Sequence, residues 1–163
     1  MNMKFLRLLG LVVAILACSL PALAQNYEGV PAKTGHATFA FGSQVLTYNY
    51  VEGGFQQLQG FTTATLVFKP EVKFKPSAHL NLTLMYQAPG KVDLDGAFSL
   101  SGVSMFWDGS VNRFTKGKSN CTITLTKATP TEVEGTADCP LLHEISGEVG
   151  TPLTKVKFSA TTK

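Results

Sequence analysis

From His36 onward, apolar side chains recur at every second position, in short runs broken by Gly, Pro, Asp and Asn. Period two is the repeat of a strand that buries one face, because successive side chains point to opposite sides. His79–Tyr86, HLNLTLMY, places Leu80, Leu82, Leu84 and Tyr86 on one face and Asn81 and Thr83 on the other. Phe61–Phe68, FTTATLVF, does the same with Ala64, Leu66 and Phe68. No segment after residue 35 carries a helical period, and no internal repeat appears. Turn signals every roughly 8–12 residues predict an all-β antiparallel β-sandwich of about eight or nine short strands, with a small closed β-barrel as the alternative. An outer-membrane barrel fits less well, because most of the alternating runs fall short of the ~9–11 residues that cross a bilayer.

Punctuation sets the pairing. In HATFAFGSQVLTYNY a two-residue Gly42-Ser43 turn brings Phe41 opposite Gln44, Phe39 opposite Leu46 and Ala37 opposite Tyr48. Asp108-Gly109 marks a second tight hairpin leading into SVNRF. VEGGFQQLQG reads as a Gly- and Gln-rich connection. KPEVKFKP, with Val72 and Phe74 between lysines and prolines, reads as a protected edge strand, or less readily as a basic docking strip. Gly96–Trp107 reads as one long strand whose apolar phase changes near Gly102, the mark of a β-bulge. A last strand covers Thr154–Ala160, with Val156 and Phe158 inward.

The segment CTITLTKATPTEVEGTADC carries Cys121 and Cys139 at its ends. A hairpin centred on Pro130 places Cys121 opposite Cys139, Ile123 opposite Ala137, Leu125 opposite Gly135 and Lys127 opposite Val133. In that register the apolar residues share one face and the threonines and carboxylates share the other, a match that a one-residue slip destroys. Directly opposed cysteines lie within reach of a disulfide. Zinc ligation would want four ligands at short spacing, and a redox pair would favour CxxC; neither pattern is present. A structural disulfide is the expectation.

The N-terminus reads MNMKFLRLLGLVVAILACSLPALAQ, with a basic start at Lys4 and Arg7, an apolar run over Leu8–Leu20 and a small-x-small site at Ala22–Ala24. This is the pattern of a cleaved signal peptide over 1–24, and it implies secretion or the periplasm. Ile15–Cys18 loosely matches a lipobox; lipidation at Cys18 would instead make an outer-membrane lipoprotein. Residues 25–35 read as a flexible lead-in and 36–163 as a single all-β domain. Of the 14 basic residues, two lie in the signal, which leaves 12 against 11 acidic ones. A near-neutral chain argues against nucleic-acid binding.

Catalytic patterns are scarce. Neither a Gly-x-Ser-x-Gly elbow nor a phosphate-cradling loop occurs. His36 and His79 fall on polar phases and read as solvated surface, and His143-Glu144 lacks the second histidine of a zinc helix. Asp93-Leu94-Asp95-Gly96 lacks the remaining ligands of a calcium loop and reads as a turn. Asn81 and Asn120 sit in glycosylation sequons that a bacterial-type signal makes coincidental. The expectation is no metal, no cofactor and no enzyme, with a hydrolase assembled from distant residues as the outlying alternative. Three aromatics near turns, Trp107, Phe106 and Phe55, are candidates for an exposed shelf that stacks on sugars or docks a partner. The competing reading packs Trp107 between the sheets.

The C-x-I-T-L-T opening and V-E-G-T-x-x-C close of the Cys121–Cys139 hairpin, together with the signal, resemble the ends of small secreted bacterial β-sandwich proteins and lipoproteins of unknown function. The resemblance implies an exported sandwich and carries no catalytic residue. The expected function is an exported, non-catalytic binding or interaction module with a protein or glycan partner and no membrane span, anchored only if Cys18 is lipidated. The alternative is a carrier for a small ligand or lipid with a barrel-like cavity.

Overall fold

Along Ala78–Tyr86 burial alternates strictly: Leu80, Leu82 and Leu84 are fully buried and Tyr86 nearly so, while Asn81, Thr83 and Met85 are half-exposed. The same alternation recurs throughout the computed structural model, which describes residues 29–71, 78–146 and 149–163. The signal segment, Cys18 and most of KPEVKFKP lie outside the described residues.

Among the described residues thirteen strands follow in chain order: β1 (Val30–Pro31), β2 (Thr34–Phe41), β3 (Gln44–Tyr48), β4 (Tyr50–Leu58), β5 (Phe61–Lys69), β6 (Ala78–Tyr86), β7 (Gly90–Lys91), β8 (Gly102–Trp107), β9 (Ser110–Arg113), β10 (Asn120–Thr129), β11 (Glu132–Leu141), β12 (His143–Glu144) and β13 (Leu153–Thr161). They form two antiparallel sheets, ordered β1-β4-β5-β6-β8-β9-β12 and β3-β2-β13-β11-β10-β7. Several strands reach nine or ten residues, longer than the alternating runs implied. The architecture is therefore a β-sandwich and not a closed barrel. One continuous core fills the space between the sheets, with Phe39, Phe55, Phe68, Leu66, Leu82, Met105, Ile123 and Leu153 among its most deeply buried members.

The Gly42-Ser43 hairpin has the expected register, from Phe41↔Gln44 to Ala37↔Tyr48. Phe39 packs edge-on against Tyr48 with ring centroids 5.0 Å apart. Asp108 and Gly109 both take positive φ, 46° and 84°, the geometry of a type I′ turn, and join Trp107 to Ser110. The final strand runs as expected, with Val156 and Phe158 buried.

Three local readings are corrected. The Gly-rich stretch after Val51 is no connection but strand β4, paired with β5 from Tyr50↔Lys69 to Leu58↔Phe61. Its glycines serve close approach: a Cβ on Gly53 would lie 2.0 Å from the Thr65 carbonyl oxygen, and one on Gly54 would lie 2.3 Å from that of Val30. The lead-in is not wholly loose either, since Val30 and Pro31 pair with Phe55 and Gly54 and β2 begins at Thr34. Finally, β8 starts at Gly102, and residues 96–101 form a turn and loop instead of the first half of a long strand.

Cys121 and Cys139 are joined in a disulfide across the β10–β11 hairpin. Ile123↔Ala137 and Leu125↔Gly135 pair as expected, but an extra residue at Thr126 then shifts the ladder to Lys127↔Glu134 and Ala128↔Val133. The reason lies in the side-chain phase. In the unbroken register Lys127 would follow Cys121, Ile123 and Leu125 onto the core face. The bulge turns it outward, where its ammonium meets Glu132 at 2.9 Å, and gives the inner place to Ala128. A second irregularity between Asn120 and Thr122 lies beside Cys121, so the cysteines meet in a distorted stretch and not in a flat ladder.

The disulfide closes a loop of sequence separation 18. The chain-entropy relation assigns such a loop about 3 kcal/mol. Replacing both cysteines with serine is expected to lower the urea-unfolding free energy by about that amount. Dithiothreitol should do the same to the native protein and nothing further to the double variant.

Candidate functional site

The three aromatics that the sequence nominates do not come together. Phe55 lies on the inner face of β4, 1% exposed, and belongs to the core. Its glycine neighbours give it the sequence signature of a loop residue. Trp107 is half-buried at the end of β8 and packs against Phe41, with centroids 5.7 Å apart, so it lies between the sheets. Phe106 occupies the opposite phase on the outer face and stacks on His79, with centroids 4.2 Å apart and planes 14° apart.

That stack corrects the reading of His79 as solvated surface. The imidazole is half-buried, and its Nδ1 is buried without a hydrogen-bond partner, as is Oδ1 of neighbouring Asn81. Lys69 approaches from β5 and donates to Glu52 of β4 at 2.5 Å. Burial, and after it the Lys69 charge, push the His79 pKa below the ordinary value; Glu52 opposes this only in part. His36, by contrast, is exposed, and its Nδ1 lies 2.7 Å from Asn49 Oδ1.

A different region has the shape of a binding site. Where the β4–β5 turn, the end of β6 and the 87–101 loop meet, an open cleft of about 340 Å³ forms. Its floor is apolar and buried: Tyr86, Val92 and Leu125. Its rim carries Phe61, 38% exposed, and Phe98, 91% exposed, with the polar side chains of Gln87, Lys91, Asp93 and Ser99 around them. Leu100, 63% exposed, stands on the same loop. Burying a phenylalanine is worth roughly 1.5–3 kcal/mol, a gain this fold leaves unclaimed at Phe98.

The loop that holds Phe98 outward is firmly braced. Oδ1 of Asp93 accepts from the backbone N–H groups of Asp95 and Gly96 at 3.0 and 2.8 Å. The Ser99 hydroxyl donates to the Asp93 carbonyl, and the Lys116 ammonium donates to that of Asp95. Gly96 leaves the carboxylate its place, since a Cβ there would sit 2.2 Å from Asp93 Oδ2 and push that side chain aside. The Ser101 hydroxyl accepts from the Met85 N–H at 3.0 Å, standing in for the next ladder carbonyl after Thr83↔Gly102 and releasing the chain from the sheet. The alternation Phe98-Ser99-Leu100-Ser101 hid this loop by imitating a strand. The signal that could have revealed it is the Asp93 to Gly96 spacing, a side-chain-capped turn.

The Tyr86 hydroxyl, on the cleft floor, donates to the Thr129 carbonyl at 2.9 Å. Burial pushes its pKa well above the ordinary tyrosine range. Among the described residues, no group of three or more His, Cys, Asp or Glu is placed to hold a metal ion, and no helix is long and apolar enough to cross a membrane. No protein-family model matches the chain, and comparison with curated proteins and with solved structures returned no match.

The lowered His79 pKa fixes a pH dependence. Well above 6.5 the ring is neutral in both folded and unfolded chains, and stability is at its full value. Below 6.5 the unfolded chain takes up the proton first, so stability falls with acidity. In His79→Phe, which keeps the aromatic stack, the loss of stability between about pH 7 and about pH 5 should be smaller than in the native protein. Parallel urea titrations across that range check this; identical slopes would remove the ring from the account.

Proposed function

We propose that the protein is an exported, non-catalytic binding module that seats part of a carbohydrate chain in the cleft between Phe61 and Phe98. The observation that carries the reading is Phe98, an aromatic ring almost wholly in water yet held by a loop cross-braced through Asp93, Ser99, Ser101 and Lys116. A ring kept exposed on a rigid support is preorganised for a ligand and loses little conformational entropy on binding. Sugars present apolar C–H faces to aromatic rings and hydroxyls to polar side chains. The rim supplies both, with Gln87, Lys91, Asp93 and Ser99 beside the two phenylalanines.

The carrier alternative needs an interior cavity. The space between these sheets is filled by side chains, and the cleft opens to solvent, which favours a surface ligand. The signal segment motivates export, and a disulfide is compatible with an oxidising compartment.

The test is retention of the purified protein, lacking residues 1–24, on insoluble chitin, cellulose, xylan and peptidoglycan. Titration with the soluble oligosaccharide of any retaining polymer follows. Retention on at least one polymer is expected, with Phe98→Ala weakening it about tenfold, or about 1.4 kcal/mol. Because Phe98 buries almost nothing, the same variant should leave unfolding stability within about 0.5 kcal/mol. Retention by none of the four, or retention indifferent to Phe98→Ala, would sink the reading. Release of soluble sugar from a retained polymer would overturn its non-catalytic half.

A further inference from the structure

A β-sheet ends in strands whose outward N–H and C=O groups lack a partner, and proteins blunt such edges against pairing with other chains. Among the described residues, three of the four sheet edges are blunted. Strand β1 is two residues long and contains Pro31, which has no N–H to offer. Strand β12 is also two residues long, and His143 is already bridged to Val149. Beside β10, the two-residue β7 covers Thr124 and Leu125, Val92 N–H reaches the Ile123 carbonyl, and the Tyr86 hydroxyl occupies that of Thr129.

The fourth edge, β3, has none of these devices among the described residues. Gln44–Tyr48 (QVLTY) is five residues long, without proline, glycine, charge or bulge, and its register with β2 is unbroken. In a hairpin with a two-residue loop the residues flanking the turn exchange hydrogen bonds, and alternate pairs do so thereafter. Gln44, Leu46 and Tyr48 thus bond inward to β2. Val45 and Thr47 direct their N–H and C=O groups outward, and no strand pairs with them among the described residues. Val45 is 82% exposed, and Leu46, on the core-facing phase, is only partly covered.

We propose that this edge pairs antiparallel with the same edge of a second copy, about a two-fold axis through Leu46. The edge is its own complement. The axis sets Val45 opposite Thr47 of the other copy and Thr47 opposite its Val45, so all four outward backbone groups find partners. Each Val45–Thr47 pair joins two β-branched side chains, a favourable combination. The two Leu46 side chains meet at the axis and cover each other's exposed flank. No like charges oppose one another, because the strand has none. A symmetric, self-complementary patch is what a closed two-fold interface requires. Pairing over five residues buries less than the ~1,000 Å² of a firm interface, so the dimer is weak, with a dissociation constant on the order of 0.1–1 mM.

Sedimentation velocity from about 10 µM to about 1 mM should show the weight-average mass rising toward twice the monomer. Val45→Lys should abolish the rise while leaving the melting temperature unchanged. Amide exchange supplies a residue-level readout: Val45 and Thr47 should gain protection with concentration, whereas Leu46 is protected throughout. At the axis Cα atoms of a non-hydrogen-bonded pair lie about 4.5 Å apart, within disulfide reach. Leu46→Cys should therefore cross-link under mild oxidation, and Gln57→Cys, exposed on β4, should not. A monomer at every concentration, or Leu46→Cys cross-linking no faster than Gln57→Cys, would overturn self-pairing. So would a monomer that takes a different protein's strand at this edge.

Discussion

The second sheet hangs on its middle strand, β13. β13 lies between β2 and β11 and pairs with both along nearly its whole length. Without it, β2–β3 and β10–β11 would be two separate hairpins, each marginal in water by itself. The wedge also reaches across the sandwich, since the Phe158 ring packs against Phe68 of the other sheet at 6.5 Å. Gly135 makes room for that ring: a Cβ there would come within 2.9 Å of Phe158 and 2.5 Å of the Thr124 carbonyl oxygen. The β13–β2 pairs join residues more than a hundred positions apart, the kind of long-range closure that slows folding.

What was legible in the sequence was whatever the two-residue period and tight turns dictate. Leu80, Leu82 and Leu84, the Gly42-Ser43 register, the Asp108-Gly109 turn and the Cys121–Cys139 pairing all follow from alternation plus local backbone sterics. The misreadings occur where a residue's meaning depends on a distant neighbour. Gly53 and Gly54 look like loop glycines until β1 and the Thr65 carbonyl are seen pressing on them. Lys127 breaks its ladder because the inward phase would have buried an ammonium. Phe98 and Leu100 alternate like strand residues but find no ladder partner past Thr83↔Gly102. The candidate site was therefore the least readable part of the chain. Its aromatics, Phe61 and Phe98, come from different hairpins, and alternation alone does not distinguish an exposed ring from a buried one.

The cleft and the β3 edge share a physical logic. Each leaves favourable interactions unmade within the chain: an apolar ring in water at Phe98, and unpaired backbone groups at Val45 and Thr47. At the β10 edge, by contrast, the Tyr86 hydroxyl occupies even a lone carbonyl, that of Thr129. The contrast separates surfaces that are merely exposed from surfaces kept open. The exposed side chains themselves, Phe98 and Val45, lie outside the packed layer between the sheets.

The Ser101 hydroxyl gives the architecture a seam. The ladder between β6 and β8 closes at Thr83↔Gly102, and the chain departs through one side-chain hydrogen bond instead of a backbone pair. The stretch from Asp95 to Ser101 is thus attached to the frame without being woven into either sheet. A segment so attached can change length and chemistry with little consequence for the sheets, so the part that meets a ligand can diversify while the scaffold stays constant.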